Sequence, residues 1–107
     1  MNDEAGVITI SIPPAEAKNL AYLLVEKRAA ACVQIIPGVL SVYRWKGAVQ
    51  TDEESLLVAK TLKSKLDDIK TLLKEHHPYE LPELVFIPLA GGLEDYIAWI
   101  RESITLE

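Results

Sequence analysis

The sequence predicts an α+β sandwich, with helices covering one face of a mainly antiparallel sheet. Three observations lead there. Residues 7–12, VITISI, alternate in the manner of a half-buried strand; residues 32–61 hold two long β-forming arms around Lys46-Gly47; and three other segments place apolar residues at helical spacing. The chain has 107 residues, a length that suits one domain with one core. The expected organisation is therefore a single domain over residues 1–107, with residues 1–6 a disordered N-terminus.

The first strand is Val7-Ile8-Thr9-Ile10-Ser11-Ile12, and Pro13-Pro14 closes it and opens a helix. Ala17, Leu20, Ala21 and Leu24 lie on one face of that helix, which is expected to end near Ala30. From Cys32 onward the β-formers are nearly continuous. Lys46-Gly47 is the hairpin turn, and Pro37-Gly38 lies within an arm that resumes at Val39, so it reads as a bulge or bend. Each arm then runs to about fifteen residues, on the order of 50 Å, against a usual strand of five or six. Such arms overhang a four-stranded sheet.

A second helix is expected from Ser64, which pairs with Asp67 in a capping-box-like pattern, and Leu62, Leu66, Ile69 and Leu73 mark its apolar face. Asp67 and Asp68 at its start and Lys74, His76 and His77 at its end suit the helix dipole, and Pro78 stops it. Residues 84–89 form a short apolar strand, Gly91-Gly92 breaks it, and Leu93, Ile97, Ile100 and Ile104 give a last helix. The order is β, α, β, β, α, β, α. This is the ferredoxin-like βαββαβ arrangement with an additional C-terminal helix and a long hairpin between the second and third strands. One sheet face and the overhanging hairpin are left bare, and closed homo-oligomers relieve such a liability.

Composition narrows the function. A net charge of −5 with no dense run among the 11 Lys and Arg residues excludes a nucleic-acid footprint. No apolar stretch approaches the roughly 20 residues of a membrane span, so no membrane partner is expected. The one cysteine, Cys32, makes no internal disulfide, and the acidic MNDEAG start is unlike a signal peptide; the expected location is the cytoplasm.

HHPYELPEL, residues 76–84, is the densest chemistry in the chain. Adjacent His76 and His77 would diverge by about 100° in regular helix, but at a frayed end Glu83 could return a carboxylate and complete an imidazole and oxygen set for zinc or copper(II). The structural reading is that the histidines cap the helix and Tyr79 packs at an interface. Cys32, between an alanine-rich helix end and an apolar strand, reads as a buried, inert thiol. Tyr43, Arg44, Trp45 and Lys46 read as interface residues before they read as a ligand patch. Gly91-Gly92 lacks the G-x-G-x-x-G form of a phosphate loop, and no Ser-His-Asp or paired-carboxylate set emerges from spacing.

Several segments together, EKRAAACVQIIPGVLSVYRWKG, DEESLLVAKT, EHHPYELPEL and EDYIAWI, resemble the CutA divalent-cation tolerance family. The resemblance covers roughly residues 26–100 and rests on AAC, IPGV, S-x-Y-x-W-x-G, HPYE-x-PE and DY-x-x-WI occurring in this order. It implies a homotrimer of ferredoxin-like subunits joined through their long β-hairpins, akin in architecture to the PII signalling proteins. It also implies a non-enzymatic role in tolerance of copper and other divalent ions. The family's ion binding is attributed to a first-strand cysteine and the HHPY histidines. Here His76 and His77 match those histidines, whereas the first strand offers Thr9 and Ser11, and Cys32 belongs to the AAC motif. Position 29 is Ala where many relatives have Leu. The expected metal residues are therefore His76, His77 and Glu83, with no cofactor required and copper or zinc as the ion. The alternative is a PII-like regulator that binds a small anionic or nucleotide-like ligand between subunits. An acylphosphatase-type enzyme would need an arginine in the loop after the first strand, and IPPAEA has none.

Overall fold

The computed structural model describes residues 3–105. Strand β1 spans Ala5–Ile12, helix α1 Pro14–Glu26, β2 Cys32–Trp45 and β3 Ala48–Leu62. Helix α2, Leu66–His76, follows a 3-10 turn at Lys63–Lys65, and β4 (Val85–Pro88) and α3 (Glu94–Thr105) complete the chain. The sheet order is β2-β3-β1-β4, with every neighbouring pair antiparallel. This is the expected α+β architecture.

Alternation sorts the sheet into two faces. Ile8, Ile10 and Ile12 of β1 and Leu57 and Ala59 of β3 point to one side and pack under Leu20 and Leu24 of α1 and Ile69, Leu72 and Leu73 of α2. The opposite face is covered at one end only, where Ile100 and Ile104 of α3 meet Ala5, Ala31 and Leu62. Beyond that end Val85 and Ile87 are exposed, and Val7, Leu56 and Val58 are partly so.

The hairpin is as long as the sequence indicates. β2 and β3 pair from Cys32↔Lys60 to Trp45↔Ala48, with a register shift between Ile36 and Val39 where Gly38 takes a φ of 70°. A side chain rarely adopts that backbone, so the bulge sits on the glycine. At the tip both Lys46 and Gly47 have positive φ, which matches the twist of a tight hairpin turn. β1 pairs with β3 only as far as Ile12↔Ser55, so among the described residues the stretch 48–54 of β3 has β2 as its sole strand partner. The overhang stretches the molecule to 44 × 26 × 24 Å. It carries exposed apolar side chains, among them Leu40, Val42 and Val49.

Four expectations need correction. Helix α1 stops at Glu26, before Ala30, because Arg28 turns left-handed (φ 56°) and the N–H groups of Ala29 and Arg28 bond back to the carbonyls of Leu24 and Val25. This is a Schellman stop with arginine in the place usually taken by glycine. Helix α2 does not begin at a Ser64–Asp67 box. Instead the Asp3 carboxylate accepts bonds from both the backbone N–H (3.0 Å) and the hydroxyl of Ser64. Residues 3–6 are thereby ordered rather than disordered, since β1 starts at Ala5 and the Lys63 N–H bonds to the Glu4 carbonyl. Residues 1 and 2 lie outside the described residues. Last, β4 is four residues long, shorter than the apolar run at 84–89, because the paired stretch of β1 extends only from Gly6 to Thr9.

Candidate functional site

β4 leaves the outer edge of β1 unpaired beyond Thr9. The Ser11 carbonyl lies on that edge and needs a donor. His77, the residue that ends α2, supplies one through Nε2 at 2.8 Å. The Tyr79 N–H approaches the other ring nitrogen, Nδ1, at 3.2 Å, and because a backbone N–H can only donate, Nδ1 must accept. The ring is thus the neutral Nε2–H tautomer with both nitrogens engaged, 9% exposed, and tilted against the Tyr79 ring at 4.8 Å.

The turn that His77 fixes carries Tyr79 to the hairpin. Its phenol donates to Glu54 Oε2 at 2.5 Å, and Glu54 is only 4% exposed. Burial, and then the bond to the Glu54 carboxylate, push the Tyr79 pKa well above the ordinary phenol value. Tyr43, on the neighbouring strand, donates to Asp52, and that bond raises its pKa also. Glu83 is held by the Thr9 hydroxyl at 2.7 Å.

Between the hairpin and the 78–83 turn lies a cleft of ≈ 710 Å³, whose walls include Tyr43, Trp45, Tyr79, Glu54 and Glu83. None of its acidic residues appears among the ion pairs of the described residues.

The expected metal set is not assembled within this chain. His77 has no lone pair to give, His76 stands exposed with Glu75 Oε1 3.7 Å away, and Glu83 is bonded to Thr9. Among the described residues no group of three or more His, Cys, Asp or Glu side chains is placed to hold an ion. Residues 76, 77 and 83 are close in sequence, but the Ser11 carbonyl and the Thr9 hydroxyl, both from β1, engage His77 and Glu83.

Cys32 also differs from expectation. It is partly exposed rather than buried, with Sγ 3.7 Å from the Tyr96 hydroxyl. Tyr96, whose pKa that contact raises, stacks on Trp99 at 5.5 Å. The thiol is only partly covered because this sheet face is the one α3 covers incompletely. Nothing local in the sequence marks Glu54 as a buried residue. Its carboxylate is bonded by Tyr79, 25 positions away, and the residue is buried.

Residues 6–103 match the family model described as CutA1 divalent ion tolerance protein. The chain belongs to this family. Over 98 residues it is 45% identical to the divalent-cation tolerance protein CutA of Thermus thermophilus, covering 91% of this chain and 95% of that one. The crystal structure of CutA1 from Oryza sativa matches with a TM-score of 0.92 at 38% identity, over 98% of this chain and 97% of the other. A structure described as the PII-like protein CutA from Nostoc sp. PCC 7120 in apo form matches at 0.86 and 35% identity, over 95% and 99%. The shared CutA1 architecture includes the hairpin and the turn after α2, the two elements that form the cleft.

Proposed function

We propose that this chain works as a non-catalytic homotrimer in divalent-cation tolerance, assembled through its β2–β3 hairpins. One observation carries the reading: among the described residues the stretch 48–54 of β3 pairs with β2 alone and, with the facing part of β2, presents exposed apolar side chains beyond the sheet. The half-bare sheet face adds Val85 and Ile87 to the surface a monomer would leave in water. A hairpin that reaches onto a neighbour makes a head-to-tail contact, and three such contacts close a ring. The role in tolerance is supported by family membership and by the naming of the Thermus relative. A non-catalytic role is supported by the side chains an enzyme would use: Cys32 meets a phenol rather than a base, and His77 bonds to backbone at both nitrogens.

For copper(II) or zinc, His76 with Glu75 is the accessible pair, and two ligands bind weakly compared with a full tetrahedral set. Calorimetric titration with copper(II) and zinc chlorides should give weak binding that His76→Gln removes. Undiminished binding in that variant would place the ion elsewhere.

The cleft favours a second reading, a ligand-responsive regulator. Its ≈ 710 Å³ falls within the ~300–1,000 Å³ of ordinary small-molecule sites. The description of the Nostoc relative as PII-like supports the same reading. Calorimetry with a panel of small metabolites tests it, and a panel without a single binder would remove it.

A further inference from the structure

We infer that the cleft between the hairpin and the turn after α2 recognises a small organic cation, an ammonium group with apolar substituents, rather than an anionic nucleotide or a bare metal ion. The inference rests on the ligand-binding reading above and names its ligand class. Three carboxylates, Glu54, Glu80 and Glu83, line the cleft against one guanidinium, Arg44. An anion entering there meets like charge at close range.

Two of the carboxylates are positioned in advance. The Tyr79 phenol holds Glu54 and the Thr9 hydroxyl holds Glu83, at 2.5 and 2.7 Å. Hydroxyl donors orient a carboxylate without neutralising it. Among the described residues neither Glu54 nor Glu83 has a cationic nitrogen within 4.0 Å. Glu54 is moreover 4% exposed, and a carboxylate so withdrawn from water gains more than a solvated one from a cation brought beside it.

The rest of the lining selects the kind of cation. Tyr43, Trp45 and Tyr79 line the same cleft as the carboxylates, and aromatic ring faces attract alkylammonium groups. Trp45 already has one cation nearby, with Lys46 Nζ 5.8 Å from its ring centroid. A divalent metal is a poorer match, because the described residues offer no third His, Cys, Asp or Glu ligand in range.

The test uses the intact protein and choline chloride as probe, at constant ionic strength, followed by calorimetry. The comparison ligands are 3,3-dimethyl-1-butanol, its uncharged isostere, and ATP. Choline should bind about tenfold more tightly than the alcohol, the equivalent of ~1.4 kcal/mol, and more tightly than ATP. Glu54→Gln, which keeps an acceptor for the Tyr79 phenol, should weaken choline by a similar factor, and Glu83→Gln provides a second variant should the first fail to fold. Equal binding of choline and the alcohol, or parent-like binding in a folded variant, overturns the inference. Binding of ATP without choline overturns the cation class and leaves the ligand-binding reading standing; binding of none of the three counts against both.

Discussion

The Tyr79 phenol donates to Glu54 Oε2 at 2.5 Å and so ties the turn after α2 to the hairpin. The Tyr79 pKa is raised, first by burial and then by this bond, so the folded chain keeps the phenolic proton to higher pH than the unfolded chain does. Below the unfolded value of about 10 both states hold the proton and the contribution is whole; as pH rises through the folded value it is lost. Tyr79→Phe removes that dependence. Thermal unfolding between pH 9 and 12 should show the parent losing stability more steeply than the variant, whereas parallel curves would mean that the phenol is not held as described.

The two adjacent histidines should behave very differently. His77→Ala deprives the Ser11 carbonyl of its donor and the Tyr79 N–H of its acceptor, a loss of about 1–3 kcal/mol in urea unfolding. His76→Gln should change stability by less than about 0.5 kcal/mol, as exposed positions usually do. Similar effects at both positions would contradict the tautomer and contacts assigned to His77.

Asp3→Ala should cost about 1 kcal/mol, because the start of the turn into α2 loses the side-chain acceptor that Asp3 provides at Ser64. Hydrogen exchange at the Ser64 amide should accelerate. If Asp67→Ala produced this effect and Asp3→Ala did not, the local capping box would be restored.

These three sites also mark what could be read from the sequence. Hydrophobic period located the strands and helices, and the unusual arm length identified the hairpin, because both are written in neighbouring residues. The glycine bend near Pro37-Gly38 and the Lys46-Gly47 turn were legible for the same reason. Partners far away in sequence were not. Asp3 meets Ser64 across 61 positions, His77 meets Ser11 across 66, and Thr9 meets Glu83 across 74. Each contact replaced a plausible local role, as a capping box or a metal ligand. Arg28 shows the same limit from another side, since no glycine announces the left-handed residue that ends α1.

Trp45 stands at the end of β2, partly exposed, near the exposed Val42 and Tyr43 of the overhang. If the neighbouring subunit packs there, Trp45→Ala should loosen the assembly by a few kcal/mol, as truncation of large aromatics at interfaces often does. Dilution followed by sedimentation velocity reads this directly. Unchanged assembly together with lost choline binding would assign Trp45 to the cleft alone.

The central claim, assembly through hairpins too long for one subunit to cover, is tested most directly by light scattering coupled to size exclusion at micromolar concentration. The account predicts a single species of three times the mass of one chain, unchanged on tenfold dilution. A stable monomer, with Leu40, Val42 and Val49 left in water, would contradict it.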